Sequence, residues 1–175
     1  TSFIIQSFRD NRIRYFKKNH TGLIDTLKFG IDKSRAKYIA RMDADDISHP
    51  ERLKLQLNYL INNNSDICGS SFFTIDPKSN IKRNYKVPQS KEEIIFRLTS
   101  SVPFCHGSII AKKNVFEIHN YGTSGDDLIE DYSLWIKMFN SGIEFNNTKE
   151  KLYYLRQHSD SLSKKNVFKF RKISL

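Results

Sequence analysis

The sequence predicts an α/β protein in which helices sandwich a mostly parallel central sheet. Three observations carry that reading. Segments with apolar residues at helical period alternate along the chain with short apolar runs of strand length. One such run, Tyr38 to Met42, delivers three carboxylates within four positions, Asp43-Ala44-Asp45-Asp46, and in open α/β sheets ligands gather beyond the carboxyl ends of strands. The length, 175 residues, suits a single domain with a real core.

Taken in order, Phe3, Ile4, Ile5 and Phe8 form the apolar stripe of an opening helix, and Arg12 to Phe16 reads as a short strand. Leu23, Leu27 and Ile31 recur at helical spacing, so 23–34 is expected to be a helix. Tyr38 to Met42 is the central strand. Ser48-His49-Pro50-Glu51 reads as a helix start, with Ser48 and Glu51 at capping-box spacing and Pro50 in the first turn. The helix over 50–63 then turns Leu53, Leu57, Leu60 and Ile61 to the core, and Asn62-Asn63-Asn64-Ser65 stops it. A buried strand over 67–74, a polar loop or edge hairpin over 77–88 and a helix over 91–99 follow. Next come a short strand over 108–111, a helix over 131–140 closed by Gly142, and a last strand over 152–156. No internal repeat, low-complexity tract or domain linker interrupts this order.

Hydrophobic content of 38% and charged content of 27% are ordinary for a soluble globular protein. No apolar run reaches the roughly 18 residues that a transmembrane helix needs, and no secretory pattern opens the chain, so a cytoplasmic protein is expected. Lys+Arg 29 against Asp+Glu 19 gives a net charge of +10, which favours anionic partners or simple solvation. In the tail, Lys164, Lys165, Lys169, Arg171 and Lys172 interleave with Val167, Phe168, Phe170 and Ile173. Such a segment suits either peripheral contact with the cytoplasmic face of a membrane or a final helix packed on the domain. Cys68 and Cys105 have neither disulfide-framework nor metal spacing and are expected to be buried thiols in a reducing compartment.

Carboxylates crowded as at Asp43, Asp45 and Asp46 repel one another unless something positive sits among them. A hard cation, Mn²⁺ or Mg²⁺, meets that need, as does capping of nearby backbone N–H groups. Glu130-Asp131 opens the helix that contains Trp135; the pair suits either the helix dipole or a general base at Asp131. The polar loop Gly122 to Asp127 precedes it. After the last strand, Arg156-Gln157-His158 is followed by Ser161 and Ser163. His158 can serve as a metal ligand or a surface residue, Arg156 can pair with phosphate or carboxylate, and both serines can donate to phosphate oxygens.

The order of these segments resembles the family 2 glycosyltransferases, inverting enzymes with the GT-A nucleotide-sugar-binding fold. The stretch from Gly22 through Asp46-Ile47-Ser48-His49-Pro50-Glu51-Arg52-Leu53 is similar to that family's surroundings of its Asp-x-Asp motif. Pro103-Phe104-Cys105-His106-Gly107-Ser108 is similar to its mid-domain loop, Glu130-Asp131 to its Glu-Asp motif, and Arg156-Gln157-His158 to its closing motif. The resemblance implies metal-dependent transfer of a sugar, from a UDP-sugar in first choice, to a carbohydrate or lipid-linked acceptor in surface polysaccharide, glycolipid or glycoprotein glycan synthesis. It implies Asp43 and Asp45 at the ribose and metal, Asp45 with His158 as metal ligands, and Arg41, Arg156, Ser161 and Ser163 about the nucleotide. Asp131 would be the catalytic base beside Glu130, with Trp135 on the acceptor side and His106 either there or in a core or loop role.

Nothing here corresponds to the family's opening strand, its Pro-x-Tyr-Asn-like segment or its Asp-Asp-Gly-Ser strand. The domain over 1–175 is therefore expected to lack its first strand or strands, and on that expectation these residues alone bind UDP weakly or not at all. Three rivals follow. An inactive fragment would act only as a binding module. A metal-dependent phosphoryl-transfer enzyme or nuclease would need two close metals and more carboxylates than these. A nucleic-acid-binding module would need a recognisable basic reading element, and none is present, so no nucleic-acid partner is expected.

Overall fold

The computed structural model describes residues 2–122 and 130–158. The elements are α1 (Ser2–Ser7), α2 (Leu23–Lys33), β1 (Tyr38–Ala40), β2 (Ile47–Ser48), α3 (Arg52–Asn62), β3 (Ile67–Ile75) and β4 (Ile81–Tyr85). They continue with α4 (Lys91–Leu98), a 3-10 turn at His106–Ser108, β5 (Ile110–Lys112), α5 (Lys113–Ile118), α6 (Glu130–Asn140) and β6 (Phe145–Arg156). One sheet runs β1-β5-β3-β6-β2, with β4 paired to β3 as a hairpin.

Side-chain alternation builds the layers. Across the registered strands, Ile39, Ala111, Ile67 and Phe145 fall on one face. They join Ile24 of α2, Ile94 and Leu98 of α4, Val115 and Phe116 of α5, and Leu134, Trp135 and Met138 of α6 in the main core. Their neighbours Tyr38, Ile110 and Cys68 point to the other face, where Leu60 and Tyr59 of α3 cover them. The result is the expected three-layer α/β/α sandwich.

The expectation of a mostly parallel sheet is corrected. Among the described residues only β3 and β6 pair in parallel; β1–β5, β3–β5, β2–β6 and β3–β4 are antiparallel. Apolar periodicity carries no strand direction. The Asp76–Asn80 turn, where Ser79 has φ 68°, folds β4 straight back, and β5 inserts against both its neighbours. Arg12 to Phe16 is not a strand, and Arg12 bends back on Asp10 with Nη2 to Oδ2 at 2.6 Å. The capping box at Ser48 is absent too. Ser48 is drawn into β2 opposite Tyr153, and the Glu51 N–H donates instead to His49 Nδ1 at 3.2 Å. A capping box does occur at Ser90 and Glu93, opening α4.

Helix α3 turns Arg52, Gln56 and Leu60 inward and leaves Leu53 and Ile61 exposed, the reverse of much of the expected face. Gln56 accounts for this: its Nε2 donates to the Cys68 carbonyl at 3.0 Å and the Ser108 carbonyl at 2.9 Å. Cys68 and Cys105 are buried free thiols, and burial pushes each up to about 12, so both stay protonated. Among the described residues, no helix is long and apolar enough to cross a membrane.

Candidate active site

Asp43 opens a turn just beyond β1 and Asp46 closes it, its N–H donating to the Asp43 carbonyl at 3.3 Å. Arg41 holds the first acid, with Nη1 2.5 Å from Asp43 Oδ2. Strand β6 holds the rest. The Tyr153 hydroxyl accepts the Asp43 N–H at 3.1 Å and donates to Asp46 Oδ2 at 2.6 Å. The Arg156 N–H donates to Asp46 Oδ1 at 2.6 Å, and its Nε donates to the Asp45 carbonyl at 2.6 Å. Asp46 is buried with both oxygens engaged. Burial raises its pKa against those two bonds, and the negative charges of Asp43 and Asp45 raise it further.

Asp45 is the acid that stays outward. Its Oδ2 lies 3.1 Å from His158 Nε2, so the two residues expected to hold a metal stand together. Among the described residues, no group of three or more His, Cys, Asp or Glu gathers in a metal-holding arrangement. One carboxylate and one imidazole still fit a Mg²⁺ or Mn²⁺ that takes its remaining ligands from water and substrate phosphate. Arg156 has another task than the expected phosphate contact. Its Nη1 donates to the Asp76 and Pro77 carbonyls at 2.8 and 3.1 Å and its Nη2 to Ser79 Oγ at 3.1 Å, which ties the acidic turn to the β3–β4 hairpin.

Asp131 and Glu130 lie in the first turn of α6. Asp131 Oδ1 accepts the Tyr132 N–H at 2.7 Å, and burial raises its pKa against that bond and the Arg41 charge. The Tyr132 hydroxyl donates to the Leu98 carbonyl at 2.8 Å and fixes the start of α6 to α4. Glu130 is buried, its Oε1 3.9 Å from His106 Nδ1. His106 Nε2 pairs with the Tyr121 hydroxyl at 2.7 Å. Burial, with help from the Arg41 charge, holds the His106 imidazole well below its usual range, so the ring is neutral.

Arg41 thus acts at Asp131, His106 and Tyr121 while it pairs with Asp43. The acidic turn and the acids of α6 share one electrostatic neighbourhood. A cleft of about 380 Å³ opens beside it, lined by Arg41, Met42, Tyr121 and the inner face of α2.

The acceptor-side assignment of Trp135 is corrected. The indole is 0% exposed and stacks edge-on against Phe104 at 5.1 Å and His106 at 5.8 Å, so it supports the site from the core. His106 is likewise almost enclosed, between Tyr121 and Glu130. Ser161, Ser163, the basic tail and most of the Gly122–Asp127 loop lie outside the described residues. Sequence reasoning missed Tyr153, Tyr121 and Arg52. For Arg52 a signal existed: Arg52, Gln56 and Leu60 recur every four residues along α3.

The fold is an α/β sandwich in which β1 runs into a braced acidic turn and α6 opens on two buried acids. Residues 1–118 match the description Glycosyl transferase family 2, and the chain belongs to that family. Bifunctional glycosyltransferase pgtA of Dictyostelium discoideum is 32% identical over 197 residues, covering 91% of this chain and 26% of that protein. The O-antigen biosynthesis glycosyltransferase WbnJ of Escherichia coli is 30% identical over 157 residues, covering 89% of this chain and 61% of that one. The chain therefore spans only part of the length of these relatives. The solved structure of S. aureus TarS 1-349 in complex with UDP-GlcNAc matches with a TM-score of 0.61 at 13% identity, over 91% of this chain and 47% of that one. That likeness is one of fold.

Proposed function

We propose that the chain binds a nucleotide-diphosphate sugar, a UDP-sugar in first choice, and transfers the sugar with inversion to a hydroxyl acceptor in surface polysaccharide, glycolipid or glycoprotein glycan synthesis. The observation that carries this is the meeting of Asp45 and His158 beyond β1, on a turn whose first acid Arg41 holds. Family membership supports it, as does the UDP-GlcNAc bound in the TarS structure of the same fold.

Each side chain has a definable task. Asp43 receives the nucleoside, with Arg41 balancing its charge. Asp45 and His158 would hold a Mn²⁺ or Mg²⁺, which supplies charge neutralisation at the departing diphosphate. Asp131, raised by burial, takes the acceptor proton. The acceptor oxygen bonds to the anomeric carbon as the carbon–oxygen bond to the diphosphate breaks, so one displacement inverts that centre. Glu130 and the neutral His106 position the start of α6 around this base.

Calorimetric titration with UDP, with and without Mn²⁺, tests the reading. Weak, Mn²⁺-dependent binding is expected, and Asp45→Asn is expected to raise the Mn²⁺ that it requires by about 100-fold. Stabilisation by DNA alone, or UDP binding indifferent to both Mn²⁺ and Asp45→Asn, overturns it.

A further inference from the structure

We infer that Tyr153 is a positioning residue for the donor, fixing the acidic turn through its hydroxyl, and that the space left by Gly107 lets it do so. The inference rests on the reading of Asp43 to Asp46 as the donor site.

Tyr153 is 0% exposed, so its hydroxyl has only protein partners. It uses both capacities on the turn. The oxygen accepts from the Asp43 N–H, and the proton goes toward Asp46 Oδ2. One buried atom therefore bridges the first and last acids of Asp43-Ala44-Asp45-Asp46. With Arg156 on its other oxygen, Asp46 is spent on the scaffold, and the turn presents Asp45 outward.

The ring cannot drift. Tyr153 stands opposite Ser48 of β2 and Phe72 of β3, so neighbours on both sides set its register. The Arg52 guanidinium lies 5.1 Å from its ring centroid. Arg52 also donates to the Arg41 carbonyl at 2.8 Å and the Ile109 carbonyl at 3.1 Å, which fixes the end of β1 from below. Gly107 closes the arrangement. A Cβ there would stand 2.6 Å from Tyr153 Cζ and closer still to the hydroxyl. Both atoms belong to a side chain that is fully buried. The loop over 103–108 thus serves the donor site indirectly, as the floor on which Tyr153 reaches the turn.

The test compares the full chain with Tyr153→Phe, with Gly107→Ala, and with Ile94→Val as a core control distant from the turn. Hydrogen exchange reads the Asp43 amide in the free protein; calorimetry reads UDP binding in MnCl₂. For Tyr153→Phe the Asp43 amide is expected to exchange at least about tenfold faster, and the UDP dissociation constant to rise at least about tenfold, the scale of one lost hydrogen bond to a charged group. Gly107→Ala, which keeps the hydroxyl but displaces the ring, moves both readouts the same way, and Ile94→Val leaves UDP binding within about twofold. Unchanged Asp43 protection in both variants overturns the bridge. Faster exchange with unaltered UDP affinity overturns the positioning role and leaves the donor reading intact. Absence of Mn²⁺-dependent UDP binding in the unaltered chain overturns the donor reading, and the positioning role with it. Should Tyr153→Phe fail to fold, Gly107→Ala carries the same two readouts.

Discussion

The Asp45 carboxylate and the His158 imidazole meet at 3.1 Å although 113 positions of chain separate them. Strand β6 makes the meeting, because Arg156 binds the Asp45 carbonyl and the Asp46 carboxylate two residues before His158. Asp45→Asn is expected to raise the Mn²⁺ concentration needed for half-maximal UDP binding by about 100-fold and His158→Ala by about tenfold, within the range for lost ligands and their partners. A Mn²⁺ titration at fixed UDP measures both. Equal midpoints in all three proteins would remove the cation from this pair.

Asp131 separates binding from chemistry. It touches neither Asp43 nor Asp45 in any hydrogen bond among the described residues, so Asp131→Asn is expected to leave UDP affinity unchanged. Turnover with an active acceptor should fall about 10²- to 10⁴-fold, the worth of a general base. The pH profile gives an independent sign. Burial raises the Asp131 pKa, and only the carboxylate accepts a proton, so kcat falls as pH drops through a value above the ordinary 3.8. An acid limb at or below 3.8 would point to another base.

His106 gives a prediction about stability. Its folded pKa lies well below the ordinary 6.5, so beneath pH 6.5 the unfolded chain binds a proton that the folded chain refuses. Stability therefore falls as the pH drops below 6.5. Asp46 and Asp131 act in the opposite direction, because their raised values mean that protonation relieves a buried charge. The difference between the chain and His106→Gln isolates the histidine. Denaturant unfolding from pH 7 to 5 should show the Gln variant losing less stability; parallel curves would mean that the ring is already protonated in the fold.

These residues show how far the sequence was legible. The elements α2, α3, β3, α6 and the end of β6 over 152–156 follow from period and punctuation, because burial imposes the same spacing on any sequence that forms them; the earlier part of β6 did not. The placement of Asp43 and Asp45 just beyond β1 and of Asp131 in the first turn of α6 was legible in the same way. Strand direction did not follow, because a one-residue alternation reads the same both ways. The face of α3 did not follow either. Leu53 and Ile61 outrank Arg52 and Gln56 in hydrophobicity, yet the polar pair lies inside because the Arg41, Cys68, Ser108 and Ile109 carbonyls there need donors. Partners supplied by distant segments leave no local pattern, and Tyr153 was missed for the same reason.

Arg52 turns that lesson into a measurement. It is 1% exposed, and burial lowers its pKa, which marks a charge paying desolvation. Among the described residues it forms no ion pair. What compensates is geometric: Nε to Gln56 Oε1 at 2.9 Å, Nη2 to two backbone carbonyls, and the Tyr153 ring beneath the cation. A lysine carries the charge but cannot present a planar fork to three acceptors. Arg52→Lys is therefore expected to keep the burial cost and lose part of the bonding, for a loss of about 2 to 3 kcal/mol in urea unfolding. Arg52→Met relieves the burial cost but leaves the Arg41 and Ile109 carbonyls without this donor. It should also destabilise, by about 1 to 2 kcal/mol. The order matters more than the sizes. If methionine proves harmless while lysine does not, the guanidinium only offsets its own burial. If both cost stability and both weaken UDP binding in Mn²⁺, the end of β1 and the acidic turn move as one unit with Arg52 at its base.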